Sequence, residues 1–547
     1  MSHKKTHKFM FVVGGVMSGV GKGVTTASIG TILQSKGFKV SLIKADPYLN
    51  VDAGTMNPTE HGEVFVLDSG LETDQDMGNY ERFLGQSMPA DNYMTNGMVF
   101  KYVIDKERAL GYKGKCVEPV YHITEEILRR IKTSVHKTDA DITVVEIGGT
   151  VGEYQNAIFL EAARILKLRH PKDVMFVLVS YLPVPNNIGE MKTKPTQNAV
   201  RQLNSYGINA DMIIARSEVP LDKKRKEKIA LSTGVPMDNV ISAPDIESIY
   251  DVPINFEKDG LGNRVLDIFD LKPKHKDLVE WRRMVSKIKG AKEKVKIAIV
   301  GKYFDTGDFV LSDAYISVIE AIKFSAGKVG VKAEISWLNA KNFEGKKSDA
   351  SELKKYQGII VPGGFGESGI EGKLKAIQFA REHQIPYFGL CYGMQLAVVE
   401  YARNVLGLVD ANTTEINPKT ANPVIDIMPD QKQKLAEGNY GGSMRLGLYP
   451  ATIKKGTVAY EAYGATTIKE RHRHRFEVNF EYVEALEKAG LVFSGVSPSG
   501  KLMEIAELPR SKHPFFLGTQ FHPEFLAQPL KPHPLFTEFI KAAKNKR

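Results

Sequence analysis

Residues 11–26 read FVVGGVMSGVGKGVTT: an apolar run, a glycine-rich turn ending in Gly21-Lys22-Gly23, and then residues suited to a helix. No other stretch constrains the fold as much. Strand, turn and helix in that order bring backbone N–H groups and the positive end of a helix to one point, with Lys22 as a mobile charge, which is how a chain holds a nucleotide triphosphate. The strict phosphate-loop pattern fails at one position. It requires Ser or Thr directly after the lysine to ligate magnesium, and Gly23 stands there instead, so the metal needs carboxylates from elsewhere in the chain. The basic opening MSHKKTHK followed by FMFVV has the outline of a secretory signal, but the apolar run breaks at Gly14-Gly15 and no small-residue cleavage site follows.

A chain of 547 residues with 42% hydrophobic and 25% charged residues suits more than one ordinary globular domain. No run approaches the roughly twenty uninterrupted apolar residues of a membrane span, so no membrane association is expected. Two cysteines, Cys116 and Cys391, cannot make a disulfide framework, which points to a reducing cytoplasm and leaves each thiol to be judged alone. The net charge of +10 favours anionic partners, whether nucleic acid, membrane surface or free nucleotides. Much of the excess lies at the two ends and in KPKHKDLVEWRRMVSKIKGAKEKVK, where solvated lysines are the ordinary explanation.

Apolar runs alternate with helical patterns through the first half: FMFVV, KVSLIKAD, DITVVEIGG, VMFVLVSYL, ADMIIARS and DNVISAPD. Such alternation predicts a parallel sheet with crossover helices, an α/β fold whose ligands gather at the carboxyl ends of the strands. The pattern lapses over 271–294 and resumes with VKIAIVGKY, which predicts domains at 1–270 and 295–547 joined by a linker. No internal repeat and no metal-type Cys/His spacing is present.

In the second half, GLCYG has the G-x-C-x-G spacing of a nucleophile elbow, with sulfur in place of the hydroxyl. Flanking glycines permit a tight strained turn that lifts Cys391, with a helix starting behind it. TQFHPEF supplies a base in His522, with Glu524 two positions on to orient it and stabilise its charged form. VPGGFG leaves glycine N–H groups free to meet a developing oxyanion. In the first half, Glu146 ends the strand ITVVE, and Asp76 lies in ETDQD, so two hard oxygen ligands could grip a phosphate-bound ion. Lys44 and Asp46 end another strand, and Lys192-Thr193-Lys194-Pro195-Thr196-Gln197 is a second candidate site for a polyanion.

The thiol, base and glycine motifs together resemble a class I glutamine amidotransferase domain. That resemblance implies Cys391 as nucleophile, His522 as base and Glu524 as the third member. It further implies Gly364 at the oxyanion, Tyr392, Gly393, Met394 and Gln395 along the glutamine pocket, and Glu415 and Arg475 at the amino-acid end of glutamine. RHRHR, residues 471–475, would otherwise suggest a nucleic-acid patch or a metal tract, but no aromatic interleaving or second basic stripe accompanies it.

Over nearly its whole length the chain resembles the CTP synthase family, through GGVMSGVGKG, KADPYLNVDAGTMNPTEHGEVFV, ETDQDMGNYERF, VVEIGGTVGE, KTKPTQ, PGGFG, CYGMQ, GGSMRLG, ERHRHRFEVN and QFHPEF. The resemblance implies two doubly wound α/β domains, an N-terminal P-loop NTPase-like amidoligase and a C-terminal class I glutamine amidotransferase. ATP would phosphorylate the 4-oxygen of UTP and ammonia from glutamine would displace the phosphate, giving CTP; a step of this kind asks for magnesium, a lysine and positioning. Gly19, Val20, Gly21, Lys22, Gly23 and Val24 would bind the ATP phosphates, with Lys22 and Lys44 on the transferring group and Asp76 and Glu146 on Mg2+. Pro244, Asp245 and Ile246 would lie near adenine. Ser18, Lys192 to Gln197 and Lys228 would meet the pyrimidine triphosphate, and Glu153, Tyr154 and Gln155 the site of CTP inhibition. Family properties also include a homotetramer, a dimer of dimers, activated by GTP.

Two departures accompany the match. The family's inhibitory site is acid, apolar, acid, whereas this chain has Glu153-Tyr154-Gln155, which bears on ribose recognition and feedback control. The segment after Tyr303, FDTGDFVLSDAY, is longer than the family's usual connection, near where GTP control acts. Two other functions share parts of the pattern. One is an amidoligase acting on the carboxylates of a tetrapyrrole precursor, against which KTKPTQ argues; the other is a partition-type ATPase binding DNA through a basic surface, against which the intact Cys391, His522 and Glu524 argue.

Overall fold

The computed structural model describes residues 7–185, 189–275, 278–301, 312–345, 350–364, 369–437 and 441–546. The long segment after Tyr303 lies mostly outside these residues, as do the last two residues of VPGGFG. The chain divides into two compact units: Met1–Asp52 with Asp76–Val285, and Ala53–Gln75 with Ser286–Arg547.

The first unit is built on a seven-stranded parallel sheet in the spatial order Tyr93–Thr95, Val40–Asp46, Ile142–Ile147, Lys8–Gly15, Val174–Tyr181, Met212–Ser217, Val240–Pro244. Strands such as ITVVEI and VMFVLVSY are apolar at nearly every position because both faces of the sheet are covered, and they are buried from end to end or all but so. Lys8–Gly15 is central, and later strands add on both of its sides. The order therefore reverses at its carboxyl end, where open α/β sheets bind ligands. The phosphate loop leaves this strand, and the helix Lys22–Ser35 follows. Much of the stretch expected to be a linker is the helix Val279–Gly290. Trp281 on it is buried, stacks among Phe83 and Tyr250, and donates its indole N–H to the Tyr250 carbonyl at 2.8 Å.

The second unit centres on a nine-stranded sheet in the order Lys332–Asn339, Lys294–Gly301, Gly358–Val361, Tyr387–Leu390, Phe516–Thr519, Met503–Leu508, Val492–Val496, Arg445–Ile453, Thr467–His474. The first five strands are parallel, as the α/β pattern predicts. The last four run antiparallel, an extension that apolar runs alone do not distinguish from the parallel core. A short hairpin pairs Phe65 with Thr73 and Val66 with Glu72 in the segment Ala53–Gln75. Its tip packs backbone to backbone on the strand Arg445–Ile453: Leu448 N–H donates to the Asp68 carbonyl at 3.0 Å, and Gly447, at φ 96°, leaves no room for a side chain beside Gly70. Among the described residues no helix is long and apolar enough to cross a membrane.

Candidate active site

In the first unit the loop does what its glycines predict. Gly19 and Gly21 take φ of 70° and 86°, left-handed values that cost other residues strain, and Gly21 is the N-cap of the helix Lys22–Ser35. Lys22 folds back over Gly14, where an added Cβ would come within 2.9 Å of its Nζ. Gly23 explains the departure from the strict motif. A Cβ at this position would collide with Asp76 Oδ1, so the absent Ser or Thr leaves room for a carboxylate brought in from residue 76.

Lys44 collects the acids that the sequence scattered. Its Nζ bonds Asp76 Oδ2, donates to Glu146 Oε1 at 2.9 Å and lies 3.6 Å from Asp46 Oδ1. Glu146 also accepts a bond from the Tyr80 hydroxyl. Val12 and Glu146 are register partners, which is why the acid ends beside the loop. Burial drives the Asp46 carboxyl up, to about 6, with Lys44 opposing and Asp76 and Glu146 reinforcing the shift. Burial also pushes on Asp76, but the Lys44 charge and hydrogen bond, with Lys22 beyond, hold it below the ordinary value. Burial lowers Lys22, against the pull of Glu146. Asp76 and Glu146 thus converge on one cation. Two carboxylates completed by phosphate oxygens suit Mg2+, and among the described residues no group of three or more His, Cys, Asp or Glu is placed to hold a metal without phosphate.

The segment predicted to lie near adenine lines a cavity together with the loop. Gly21, Val24, Pro244, Asp245 and Ile246 line one cavity of about 180 Å³. Arg216 lines it too and escaped the sequence reading, since it ends an apolar strand. It donates to Asp245 Oδ1 at 2.6 Å and lies so close over Gly21 that a Cβ there would meet its Nη1 at 2.6 Å. The second polyanion candidate opens the helix Lys194–Ser205, with Thr193 at the N-cap and Pro195 in its first turn. Thr196 bonds Ser180 at 2.8 Å, Gln197 donates to Thr193 at 3.0 Å, and Ser180 is the register partner of Gly15, so this segment and the glycine loop sit along the same carboxyl edge. Lys192 donates to Glu190 at 2.8 Å, and Ser18 and Lys228 are exposed. Glu153 accepts from Thr150 N–H at 2.9 Å and from the Gln155 amide at 3.0 Å.

In the second unit Cys391 is the residue between the strand Tyr387–Leu390 and the helix Tyr392–Asn404, at φ 50° and ψ −99°. A non-glycine residue there is strained, as an elbow requires. The glycines are needed for close approach: a Cβ on Gly393 would strike the Val361 carbonyl, and one on Gly389 would lie 2.7 Å from the Gly393 backbone. His522 Nδ1 and Glu524 Oε1 are 2.7 Å apart. Burial alone would discharge the imidazole, but Glu524 and then Cys391 outweigh it and raise its pKa to about 10. A cavity of about 70 Å³ is lined by Cys391, His522, Glu524, Gly363 and Gly364, which brings the thiol, its base and the oxyanion glycines together. Arg473, Glu63 and Tyr315 line it as well and were not anticipated.

The other predicted glutamine contacts are more scattered. Tyr392 and Met394 are buried in the core behind the elbow, and Gln395 donates to the Phe476 carbonyl at 2.8 Å. Arg475 donates to Gln431 at 2.8 Å and to Ser443 at 2.9 Å, and Glu415 is half-buried after the strand Ala411–Thr413.

Residues 8–271 match the family described as CTP synthase N-terminus, and residues 310–542 match glutamine amidotransferase class-I. The CTP synthase of Pyrococcus abyssi is 51% identical over 540 residues, 98% of each chain, and that of Pyrococcus furiosus is 50% identical over 540 residues, again 98% of each. A solved structure of the Trypanosoma brucei CTPS glutaminase domain with bound acivicin is 39% identical, covering 46% of this chain and 95% of that one at a TM-score of 0.42. The chain belongs to the CTP synthase family, enzymes that use ATP and glutamine to convert UTP to CTP.

Proposed function

We propose the following division of labour among the residues of this ligase. Cys391 Sγ attacks the carboxamide carbon of glutamine, and the oxyanion is met by N–H groups around Gly364. His522 delivers its proton to the departing nitrogen, so ammonia leaves and a thioester remains, which water then hydrolyses to glutamate. Glu415 and Arg475 hold the amino-acid end of the substrate, and Tyr392, Gly393, Met394 and Gln395 build the wall of its pocket. In the first unit the loop N–H groups of Gly19 to Val24 bind the ATP phosphates, Lys22 and Lys44 steady the group in transfer, and Pro244 to Ile246 seat adenine. Asp76 and Glu146 would hold Mg2+, which when bound supplies charge neutralisation at the phosphates. Ser18, Lys192 to Gln197 and Lys228 receive the UTP triphosphate.

The observation that carries this assignment is the replacement of a loop hydroxyl by a carboxylate: Asp76 fills the room left at Gly23 while sharing Lys44 with Glu146. CTP feedback is assigned to Glu153, Tyr154 and Gln155, activation is assigned to GTP, and the enzyme is a cytoplasmic homotetramer. Tyr154 is 97% exposed beside an apolar cavity of about 820 Å³, with Val120 also exposed on its rim, which favours a partner subunit covering this face. The test is direct: UTP, ATP and magnesium with either glutamine or added ammonia, following CTP by absorbance. CTP from both nitrogen sources is expected, and none from either would overturn the assignment.

A further inference from the structure

The strand Thr467–His474 is the last in its sheet, so among the described residues one of its edges pairs with no other strand. That edge is used. The Arg471 carbonyl accepts from His522 N–H at 2.8 Å, and the Arg473 carbonyl accepts from Cys391 Sγ at 3.8 Å. Base and nucleophile therefore both lean on backbone oxygens of two alternate residues of one edge strand. The side chains of the same two residues hold the hairpin of Ala53–Gln75. Arg471 is fully buried, bonds Asp68 Oδ1 through Nε at 2.6 Å and lies 5.4 Å over the Phe65 ring. Arg473 Nε donates to Glu72 Oε1 at 2.7 Å, and that carboxylate is 1% exposed. A charge-assisted bond to a buried acid fixes position more tightly than a solvated pair, because loss of either partner strands the other.

We propose that Arg471–Asp68 and Arg473–Glu72 form a positioning clamp for glutamine hydrolysis: the hairpin fixes the edge strand, and the strand aims Cys391 and His522. Arg471 and Arg473 act here as positioning residues through their bonds to Asp68 and Glu72, Arg473 lining the cavity as well.

The test uses full-length Glu72→Gln, which keeps shape and removes charge, beside Arg473→Lys, which keeps charge. For Glu72→Gln the expected result is a fall of about tenfold to a hundredfold in kcat for glutamine hydrolysis, with KM for glutamine within about twofold. CTP formation from added ammonia should change less than about twofold. Arg473→Lys, which can still pair with Glu72, should keep kcat for glutamine hydrolysis within about threefold of wild type. An equal fall of glutamine-dependent and ammonia-dependent synthesis, or wild-type hydrolysis in Glu72→Gln, would overturn the clamp. Should Glu72→Gln fail to fold, Asp68→Asn on the other arm takes its place: a rise in KM for glutamine without a fall in kcat would overturn the proposal. If the wild type makes no CTP from ammonia, the functional assignment fails, while the kcat effect on hydrolysis still tests the clamp.

Discussion

The two chemical sites keep a buried cation in opposite ways. At the phosphate site Lys44 stands among Asp46, Asp76 and Glu146, with Lys22 near, and the carboxyls are driven apart: Asp46 up to about 6, Asp76 down. At the thiol site one imidazolium lies between one carboxylate and one sulfur, and it is held charged to a pKa of about 10. The first arrangement has more acid than Lys44 alone balances, which is the surplus that Mg2+ would answer under the proposed assignment. The second is balanced as it stands. A site with surplus acid and a site whose charges already pair should respond differently to mutation.

The largest effect should separate the two completely. Cys391→Ala should reduce glutamine-dependent CTP formation by about four orders of magnitude or more while leaving ammonia-dependent formation near wild type, because no group in the first unit has changed. Lys22→Ala should do the reverse, lowering synthesis from either nitrogen source by about a hundredfold to a thousandfold and sparing glutamine hydrolysis. Loss of both activities in either variant would break the comparison.

A subtler test addresses the balanced site. Glu524→Gln should bring the His522 titration, followed by NMR, down from about 10 toward the ordinary value of about 6.5, with hydrolysis falling about tenfold to a hundredfold. The sign follows from linkage: a raised imidazole pKa stabilises the fold fully below about 6.5, and that stability is lost as pH rises toward 10. Denaturation of the wild type should therefore show a decline between pH 6 and 10 that the variant lacks.

The smallest effect should fall on the unbalanced site. Gly23→Ser restores the motif hydroxyl but drives Asp76 from its place, and should cost about 1–3 kcal/mol of stability and about tenfold in ATP-dependent synthesis. A variant with better synthesis than wild type would mean that Asp76 does not serve in place of the hydroxyl.

The elbow around Cys391 and the loop around Lys22 were legible because their demands are local. Glycine at fixed offsets, a strand before and a helix after leave few backbone paths. Arg216 was illegible because an arginine at the end of an apolar strand gives no sign of what it covers. The pairing of Arg473 with Glu72 was illegible for another reason, since 401 residues separate the partners. The string RHRHR shows five basic residues, but only the strand's alternation sends Arg471 and Arg473 to the hairpin acids and His472 and His474 to a buried network with Arg445, Glu477 and Glu504. The last two strands of the antiparallel extension, Arg445–Ile453 and Thr467–His474, were blurred because half-buried strands carry weaker patterns than strands covered on both faces.

Which reactive groups this protein carries, and the turns that present them, follow from its amino-acid order alone, because turn geometry depends on neighbours a few residues away. Only the tertiary structure decided that Asp76 fills the space at Gly23, that Lys44 joins three acids, and that an edge strand braces both thiol and base. Charges interact through space and through the solvent they exclude, and those distances are set by sheet order, which no short stretch of chain contains.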